Sequence, residues 1–273
     1  RVVQVRKTVL ELLLAYGDHN CLFCEQSGNC ELQNLVYEHG IEKTRFKTPF
    51  VPKPKDDTNP FIIRDQSKCV LCGRCVRACL HVQANGVIDV AMRGSESFIT
   101  TFNNTSLKDS NCVYCGQCVQ ACPVGALTPK KAKSLGRSWE VQKIRTTCPY
   151  CGVGCQQLLH VKDGKIISVT GVEDGAPNYG RLCVKGRFGY DWIYSEERLK
   201  TPLIKENGGF REASWDEALD LVATKFKEII AKHGPDAIAG VSSSRSINED
   251  SYQMQKLFRA VIGTNNIDHC ART

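Results

Sequence analysis

No apolar run in this sequence approaches the ~18 residues needed to cross a bilayer, so it offers no membrane-spanning helix. No short apolar core behind a basic start marks a secretory signal. There is no initiating methionine either. Residue 1 is Arg1, and the expectation is that the natural chain begins earlier, with room for an export signal or a further domain. No glycine-rich fingerprint marks a dinucleotide site. No residue stands out as a catalytic base.

Cysteine, by contrast, is abundant, with 16 in 273 residues. A secreted disulfide framework spreads its cysteines through a short chain. Here they cluster in C-x2-C runs, the pattern of metal or redox ligation in a reducing compartment, and a cytoplasmic location is expected. The formal charge of +7 raises the question of nucleic acid. Bound thiols are deprotonated, however, and fifteen thiolates against four iron–sulfur cores of about +2 each bring the sum to about zero. The basic residues then compensate anionic clusters, and no nucleic-acid partner is expected.

An internal repeat organises the middle of the chain. Cys69, Cys72, Cys75 and Cys79 form C-x2-C-x2-C-x3-C; Cys112, Cys115, Cys118 and Cys122 repeat it, followed by Pro123. This is the pattern of two-cluster bacterial ferredoxins, in which the fourth cysteine of each run reaches the other cluster. One [4Fe–4S] cluster is therefore expected on Cys69, Cys72, Cys75 and Cys122, the other on Cys112, Cys115, Cys118 and Cys79. Gly73 and Gly116 fall where backbone must pass close to a cluster. Leu80 stands in the first run where Pro123 stands in the second. Structural zinc favours separated C-x2-C pairs, which two complete matching runs are not.

Upstream, Val5, Val9, Leu12 and Leu13 give residues 2 to 15 a helical apolar spacing. The stretch "GDHNCLFCEQSGNCELQ" follows, with Cys21, Cys24 and Cys30 as C-x2-C-x5-C and His19 just ahead. Three thiolates leave one iron corner of a cubane open. On spacing alone His19 is either its imidazole ligand or a solvated loop residue. Downstream, Cys148, Cys151 and Cys155 lie in "TTCPYCGVGC", and Cys183 follows in "GRLCVKGRFGYDW". Between them "HVKDGKIISVTG" alternates around Asp163–Gly164, a hairpin signal. These four suit one further [4Fe–4S] cluster, with a four-cysteine zinc ribbon as the alternative on spacing alone. Three, eight and four ligands account for 15 of the 16 cysteines, leaving Cys270.

From Arg198 the pattern becomes αβ. Ser214 and Glu217 suit a capping box opening a helix along Leu219, Val222, Phe226, Ile229 and Ile230, which Gly234 and Pro235 stop. "DAIAGVSSSR" reads as a buried strand and polar turn, and a second helix runs from about Asn248 to Ile262, ending at Gly263. Strand, turn and helix in this order begin a parallel sheet. Ser242, Ser243, Ser244 and Arg245 stand where such a sheet presents its strand end, as a ligand site or a plain loop.

Two resemblances join these readings. The helix, histidine, C-x2-C-x5-C and "CELQ" resemble the His/Cys3 segment shared by the large peripheral subunit of respiratory complex I, iron-only hydrogenases and NAD-linked formate dehydrogenases. The commoner family spacing is H-x3-C; here it is H-x-C. A [2Fe–2S] domain often precedes this helix in that family. "CPYCGVGC" with "LCVKGR" resembles the cluster domain of molybdopterin oxidoreductases, and closely that of bacterial formate dehydrogenases. The resemblance implies that Lys185 lies between cluster and pterin as an electron relay. "TPL", "SWDEAL" and "NNIDHCAR" are similar to the start of the domain holding Mo or W bis-molybdopterin guanine dinucleotide. In that family a Cys or selenocysteine metal ligand stands two places after the arginine. Here Arg272 is followed by Thr273 and the sequence stops. The expectation is an in-frame UGA codon followed by a histidine codon, against a chain boundary that merely falls there.

The fold expected is α+β. A helix with the His/Cys3 segment spans 1–58, a two-cluster ferredoxin-like domain 59–135, a small β-rich [4Fe–4S] domain 136–197, and the incomplete α/β start of the pterin domain 198–273. By resemblance this is the iron–sulfur portion of a formate dehydrogenase catalytic subunit, not catalytic by itself. Electrons would pass from the pterin through the Cys148–Cys183 cluster and the ferredoxin-like pair to the His19 cluster. The implied redox partner is a hydrogenase, a diaphorase-type NAD(P)/flavin subunit or a ferredoxin-like iron–sulfur subunit. The alternative is a dedicated electron-transfer subunit of a hydrogenase or electron-bifurcating complex.

Overall fold

The first helix, α1 (Val2–Tyr16), ends where Gly17 turns the backbone extended. It is the opening element of a computed structural model that describes residues 1–48 and 51–270. Arg272 and Thr273, which carry the expectation about a following metal ligand, lie outside the described residues. The chain forms two units, Arg1–Thr147 with Cys155–Tyr190, and Cys148–Gly154 with Asp191–Thr273. No helix among the described residues is long and apolar enough to cross a membrane.

In the first unit α1 packs on α2 (Glu31–Glu38) through Leu10 and Leu32, against Val124 and Ala126. The apolar positions of α1 divide. Leu13 and Leu14 join that cluster, while Val5, Val9 and Leu12 stay exposed. Arg45 clasps the helix, its Nε donating to the buried Glu11 carboxylate at 2.8 Å.

The ferredoxin-like part rests on an antiparallel sheet of β1 (Lys55–Asp56), β2 (Ile62–Asp65) and β5 (Leu127–Pro129), in which Ile62 pairs with Pro129. Two short helices, α3 (Arg74–Arg77) and α4 (Gln117–Ala121), carry the cysteine runs. A hairpin of β3 (Ile88–Ala91) and β4 (Phe98–Thr101) is inserted between them. The sequence repeat is a backbone repeat: Leu71 and Tyr114 have φ of 54° and 55°, Gly73 and Gly116 of 69° and 70°. The runs diverge where their sequences do. After α3 the chain continues as a π turn over Ala78–Val82, through Leu80. After α4 it leaves the helix at Cys122, which is extended ahead of Pro123. Proline disfavours a helical conformation in the residue before it, so the absence of proline at 80 lets the first helix run on. The core beneath is Ile62, Leu107 and Phe188, with Phe188 stacked on Phe61 at 5.0 Å between ring centres. Burying a phenylalanine ring contributes on the order of 1.5–3 kcal/mol.

A second antiparallel sheet joins β6 (Gln142–Thr147), β7 (Gln156–Lys162) and β8 (Lys165–Gly171). The hairpin turns at Asp163 and Gly164, whose φ of 49° and 73° suit the tight turn their sequence predicts. The edge strand β6, mostly exposed, carries no apolar alternation for sequence reading to find. Within β7, His160 is partly buried and its Nε2 shares a hydrogen bond with Thr170 Oγ1 at 2.8 Å. Burial, helped by the Lys143 charge, pushes its pKa down to about 4 from the ordinary 6.5. The folded state therefore prefers neutral imidazole. That preference contributes stability present in full above the ordinary value and lost as pH falls through about 4, on the order of 3 kcal/mol for so large a shift. In thermal melts at pH 7 and pH 4, His160→Gln is expected to show a smaller acid-induced drop in Tm than the unsubstituted chain. Equal drops would deny His160 this role. The first unit closes with α5 (Val184–Phe188).

In the second unit, β9 (Leu203–Glu206) and β10 (Gly209–Glu212) form a hairpin ahead of the helix α6 (Trp215–His233). Ser214 Oγ accepts from the Glu217 N–H at 3.1 Å, as a cap should. The reciprocal half of the capping box is absent. Glu217 is bonded to Arg211 at 2.6 Å instead, because a charged guanidinium fork is a stronger donor than a neutral N–H. Gly234, at φ 82°, and Pro235 end the helix. Phe226 and Ile230 pack on Ile238, Phe258 and Ile262, while Leu219, Val222 and Ile229 stay exposed. β11 (Gly240–Ser242) pairs in parallel with β12 (Ile267–His269), the start of the expected parallel sheet. Between them α7 (Asn248–Lys256) continues as a π turn to Ile262 and stops at Gly263, φ 87°.

Candidate metal centres

The eight cysteines of the two runs line one cavity beneath α3 and α4, whose wall is almost wholly apolar. Burial pushes the Cys75 thiol up to about 12, and the thiols acting on it next are Cys122, then Cys69 and Cys72. Cys118 is raised well above the ordinary value, by burial first, then by Cys115, Cys75, Cys112 and Cys79. The fourth thiol of each run thus acts on a cysteine of the other, Cys122 on Cys75 ahead of Cys69 and Cys72, and Cys79 on Cys118 after Cys115, Cys75 and Cys112. Backbone donors turn toward the sulfurs: Leu71 N–H to Cys69 Sγ at 3.4 Å, and Val87 N–H to Cys79 Sγ at 3.3 Å. The Cys122 thiol donates to the Val124 carbonyl at 3.1 Å, and the nearby backbone of Val124, Leu127 and Ala126 partly offsets the rise that burial causes in its pKa.

Among the described residues no three His, Cys, Asp or Glu side chains close around a point that would hold a single ion. A cubane is gripped at four separate iron corners, so its ligands stand wider apart than those of one tetrahedral ion. The donor set, all thiol, fits such a cluster. So does an electrostatic feature that sequence reading missed. Arg64 and Arg187 are buried against these thiols, and Arg64 Nε and Nη1 and Arg187 Nη2 have no hydrogen-bond partner. Buried guanidinium groups without partners are costly unless an anion lies near. Burial lowers both pKa values, Arg187 to about 10; Asp56, Cys118 and Cys75 counter it at Arg64, and Cys115, Cys118 and Cys183 at Arg187. Arg187 was legible only as part of "LCVKGR"; nothing distinguished Arg64 from a surface arginine.

In the amino-terminal segment Cys21, Cys24 and Cys30 come together. Burial raises the thiols of Cys21 and Cys30, and neighbouring cysteines add to it. Cys30 heads α2, where the Gln33 and Leu32 backbone partly offsets the effect of burial on its thiol. Cys24 Sγ rests over Gly125, where an added Cβ would lie 2.6 Å from it. His19 turns Nε2 to the Leu13 carbonyl at 3.1 Å. A carbonyl accepts, so Nε2 is the donor in this bond and Nδ1 is the nitrogen left to face a metal, as a ligating histidine's outer N–H would be held.

The third motif is divided by the folding units. Cys148, which is buried, and Cys151 belong to one; Cys155 and the exposed Cys183 belong to the other. Cys183 heads α5, and Lys185 is exposed on that helix. The remaining Cys270 lies at the end of β12, within 3.4 Å of the Ser243 and Ser244 hydroxyls and the Ser244 N–H. These bonds hold its thiol down at about 6. The structure thus brings Ser243 and Ser244 beside the one cysteine the cluster count left over.

Known families match nearly the whole length. Residues 6–45 match the NADH-ubiquinone oxidoreductase-G iron-sulfur binding region, and 68–126 the 4Fe-4S dicluster domain. Residues 141–195 match the molybdopterin oxidoreductase Fe4S4 domain, and 198–273 the molybdopterin oxidoreductase domain. The alpha subunit of an NADPH-Fe(3+) oxidoreductase from Geobacter sulfurreducens (strain DL-1 / KN400) is 38% identical over 100% of this chain and 31% of its own length. A Staphylococcus aureus (strain MRSA252) protein bearing the provisional name formate dehydrogenase is 35% identical over 99% of this chain and 31% of its own. A crystal structure of an NAD+-reducing [NiFe]-hydrogenase in the H2-reduced state superposes with a TM-score of 0.46 at 34% identity, over 49% of this chain and 57% of that one. That overlap is too small to carry an argument.

Thiol sets and matches together define an iron–sulfur electron-transfer oxidoreductase chain. It carries, in order, the NADH-ubiquinone oxidoreductase-G iron-sulfur binding region, the 4Fe-4S dicluster domain, the molybdopterin oxidoreductase Fe4S4 domain and a molybdopterin oxidoreductase domain. It spans about a third of the length of the curated relatives it matches.

Proposed function

We propose that this chain is the iron–sulfur portion of a formate dehydrogenase, or carbon dioxide reductase, that carries electrons between a Mo or W bis-pterin site and a redox partner subunit. The four-part division at residues 58, 135 and 197 belongs to this reading. The observation that carries it is the gathering of two cysteine runs in one apolar cavity, with buried arginines on which their thiols act electrostatically. Four [4Fe–4S] clusters would supply one-electron carriers. Cys69, Cys72, Cys75 and Cys122 hold one, and Cys112, Cys115, Cys118 and Cys79 a second. Cys21, Cys24 and Cys30 with His19 Nδ1 hold a third, and Cys148, Cys151, Cys155 and Cys183 the fourth. The chain's own work is to shelter the buried thiols such as Cys75, Cys118 and Cys148 from water, aim backbone N–H groups at sulfur, and offset the negative charge with buried arginines. Lys185 is assigned the pterin side of the fourth set.

The provisional name of the Staphylococcus relative and the "NNIDHCAR" stretch favour formate as substrate. The Geobacter relative, 38% identical, favours a second reading in which the electron source is NADPH and this chain serves only as a conductor. Anaerobic reconstitution should give about 16 iron per chain. In the full-length protein, formate should bleach the cluster absorption and raise the EPR signals of reduced clusters. Bleaching by NADPH through the partner but not by formate would replace the first reading with the second.

A further inference from the structure

Arg187 is 2% exposed, and among the described residues no carboxylate acts on it. Its Nε donates to the Cys115 carbonyl at 2.8 Å and its Nη1 to Gln120 Oε1 at 2.9 Å, while Nη2 is left without a partner. Gln120 is itself anchored, its Oε1 accepting from Gly171 N–H at 3.0 Å and its Nε2 donating to Gly171 O at 3.2 Å. The stem of Arg187 lies over Gly116, and only a glycine there leaves room for it. The guanidinium is thus fixed in place, out of water, and uncompensated. The side chain touches the Cys112 run, at the Cys115 carbonyl and over Gly116, and its own N–H donates to the Cys183 carbonyl at 3.1 Å one helical turn back. The thiols acting on it are likewise Cys115, Cys118 and Cys183, none of the set Cys69, Cys72, Cys75 and Cys122. Arg64 differs on both counts, because Asp56 pairs with it at 3.5 Å and it acts on Cys75 as well as Cys118.

We propose that Arg187 is a positioning residue that sets cluster potentials unequally, raising those of the clusters held by the Cys112 run and by Cys183 above that of the cluster held by the Cys69 run. Reduction adds an electron to a cluster, and a fixed positive charge nearby stabilises the reduced form. A buried charge does so more strongly than a solvated one, because no water screens it. Two of the four centres would then form an electron-attracting stretch beside one that is not raised. The inference rests on the proposed cluster ligation.

The test is an EPR-monitored redox titration of the iron-loaded protein, unsubstituted and as Arg187→Gln and Arg187→Lys. Glutamine can still hydrogen-bond but lacks the charge; lysine keeps the charge but loses the fork. In R187Q the reduced-to-oxidised ratio of the two affected clusters at fixed potential should fall about tenfold, which for one electron is about 59 mV. R187K should recover most of that shift, and the cluster that disappears in Cys122→Ala should not move in either. A uniform shift of all clusters, no shift, or equal shifts in R187Q and R187K would overturn the proposal while leaving the ligation intact. Protein that takes up no iron would remove both.

Discussion

Cys122→Ala should cost the protein one cubane, about four iron, and the cubane lost should belong to the run Cys122 is not part of. In the fold Cys122 is the thiol acting most strongly on Cys75, ahead of Cys69 and Cys72 in that residue's own run. Its extended backbone, set by Pro123, carries it out of α4 and away from Cys118. Paired substitutions read the crossing directly from iron content after anaerobic reconstitution. Adding Cys69→Ala to Cys122→Ala should remove no further iron, since both serve one cluster. Adding Cys112→Ala should remove about four more. Were the pairing within runs, the two double variants would exchange results. Alanine is the better probe because a serine oxygen can still bind iron.

Gly116→Ala should destabilise the loaded protein by about 2–5 kcal/mol in chemical denaturation. Its backbone has φ +70°, where a Cβ costs about 1–2 kcal/mol. That Cβ would also stand 2.2 Å from Arg187 Cδ and 2.9 Å from Phe188 Cζ. Neither neighbour can withdraw: Arg187 is tied by two hydrogen bonds, and Phe188 is stacked on Phe61. Overfilling so tight a place adds about 1–3 kcal/mol. The twin position supplies the control. Gly73 has φ +69°, but its nearest neighbour is the far end of an exposed arginine, Arg77, 3.2 Å away and held by one hydrogen bond, to the Cys72 carbonyl. Gly73→Ala should therefore cost only the backbone share, about 1–2 kcal/mol. Equal losses at the two glycines would refute the packing argument and leave Arg187 with more freedom than its contacts imply.

Several elements were legible because their causes lie within a few residues. Asp163–Gly164 turns the β7–β8 hairpin, Ser214 caps α6, and Gly234 with Pro235 ends it. Each needs only a permitted φ, a donor or a missing N–H. Other choices were made by partners distant in sequence or absent from the local pattern. Glu217 went to Arg211 rather than back to Ser214, and α1 buried Leu10 while leaving Val5 and Val9 exposed. The strand β6 was invisible because it has no apolar face to show.

The same division runs through the sites. By itself the sequence determined the number and kinds of candidate ligands, since cysteine spacing is a statement about how far a short loop can reach. It also determined the repeated backbone at Leu71–Gly73 and Tyr114–Gly116, because such loops need left-handed residues at those places. Only the tertiary structure decided which charges surround the thiols. Arg64, Arg187 and the solvated Lys185 are all simply cationic residues in the sequence. Two of them became buried counter-charges because β2 and α5 fold against the cysteine cavity. Burial is a property of everything packed around a residue, and no local spacing encodes it.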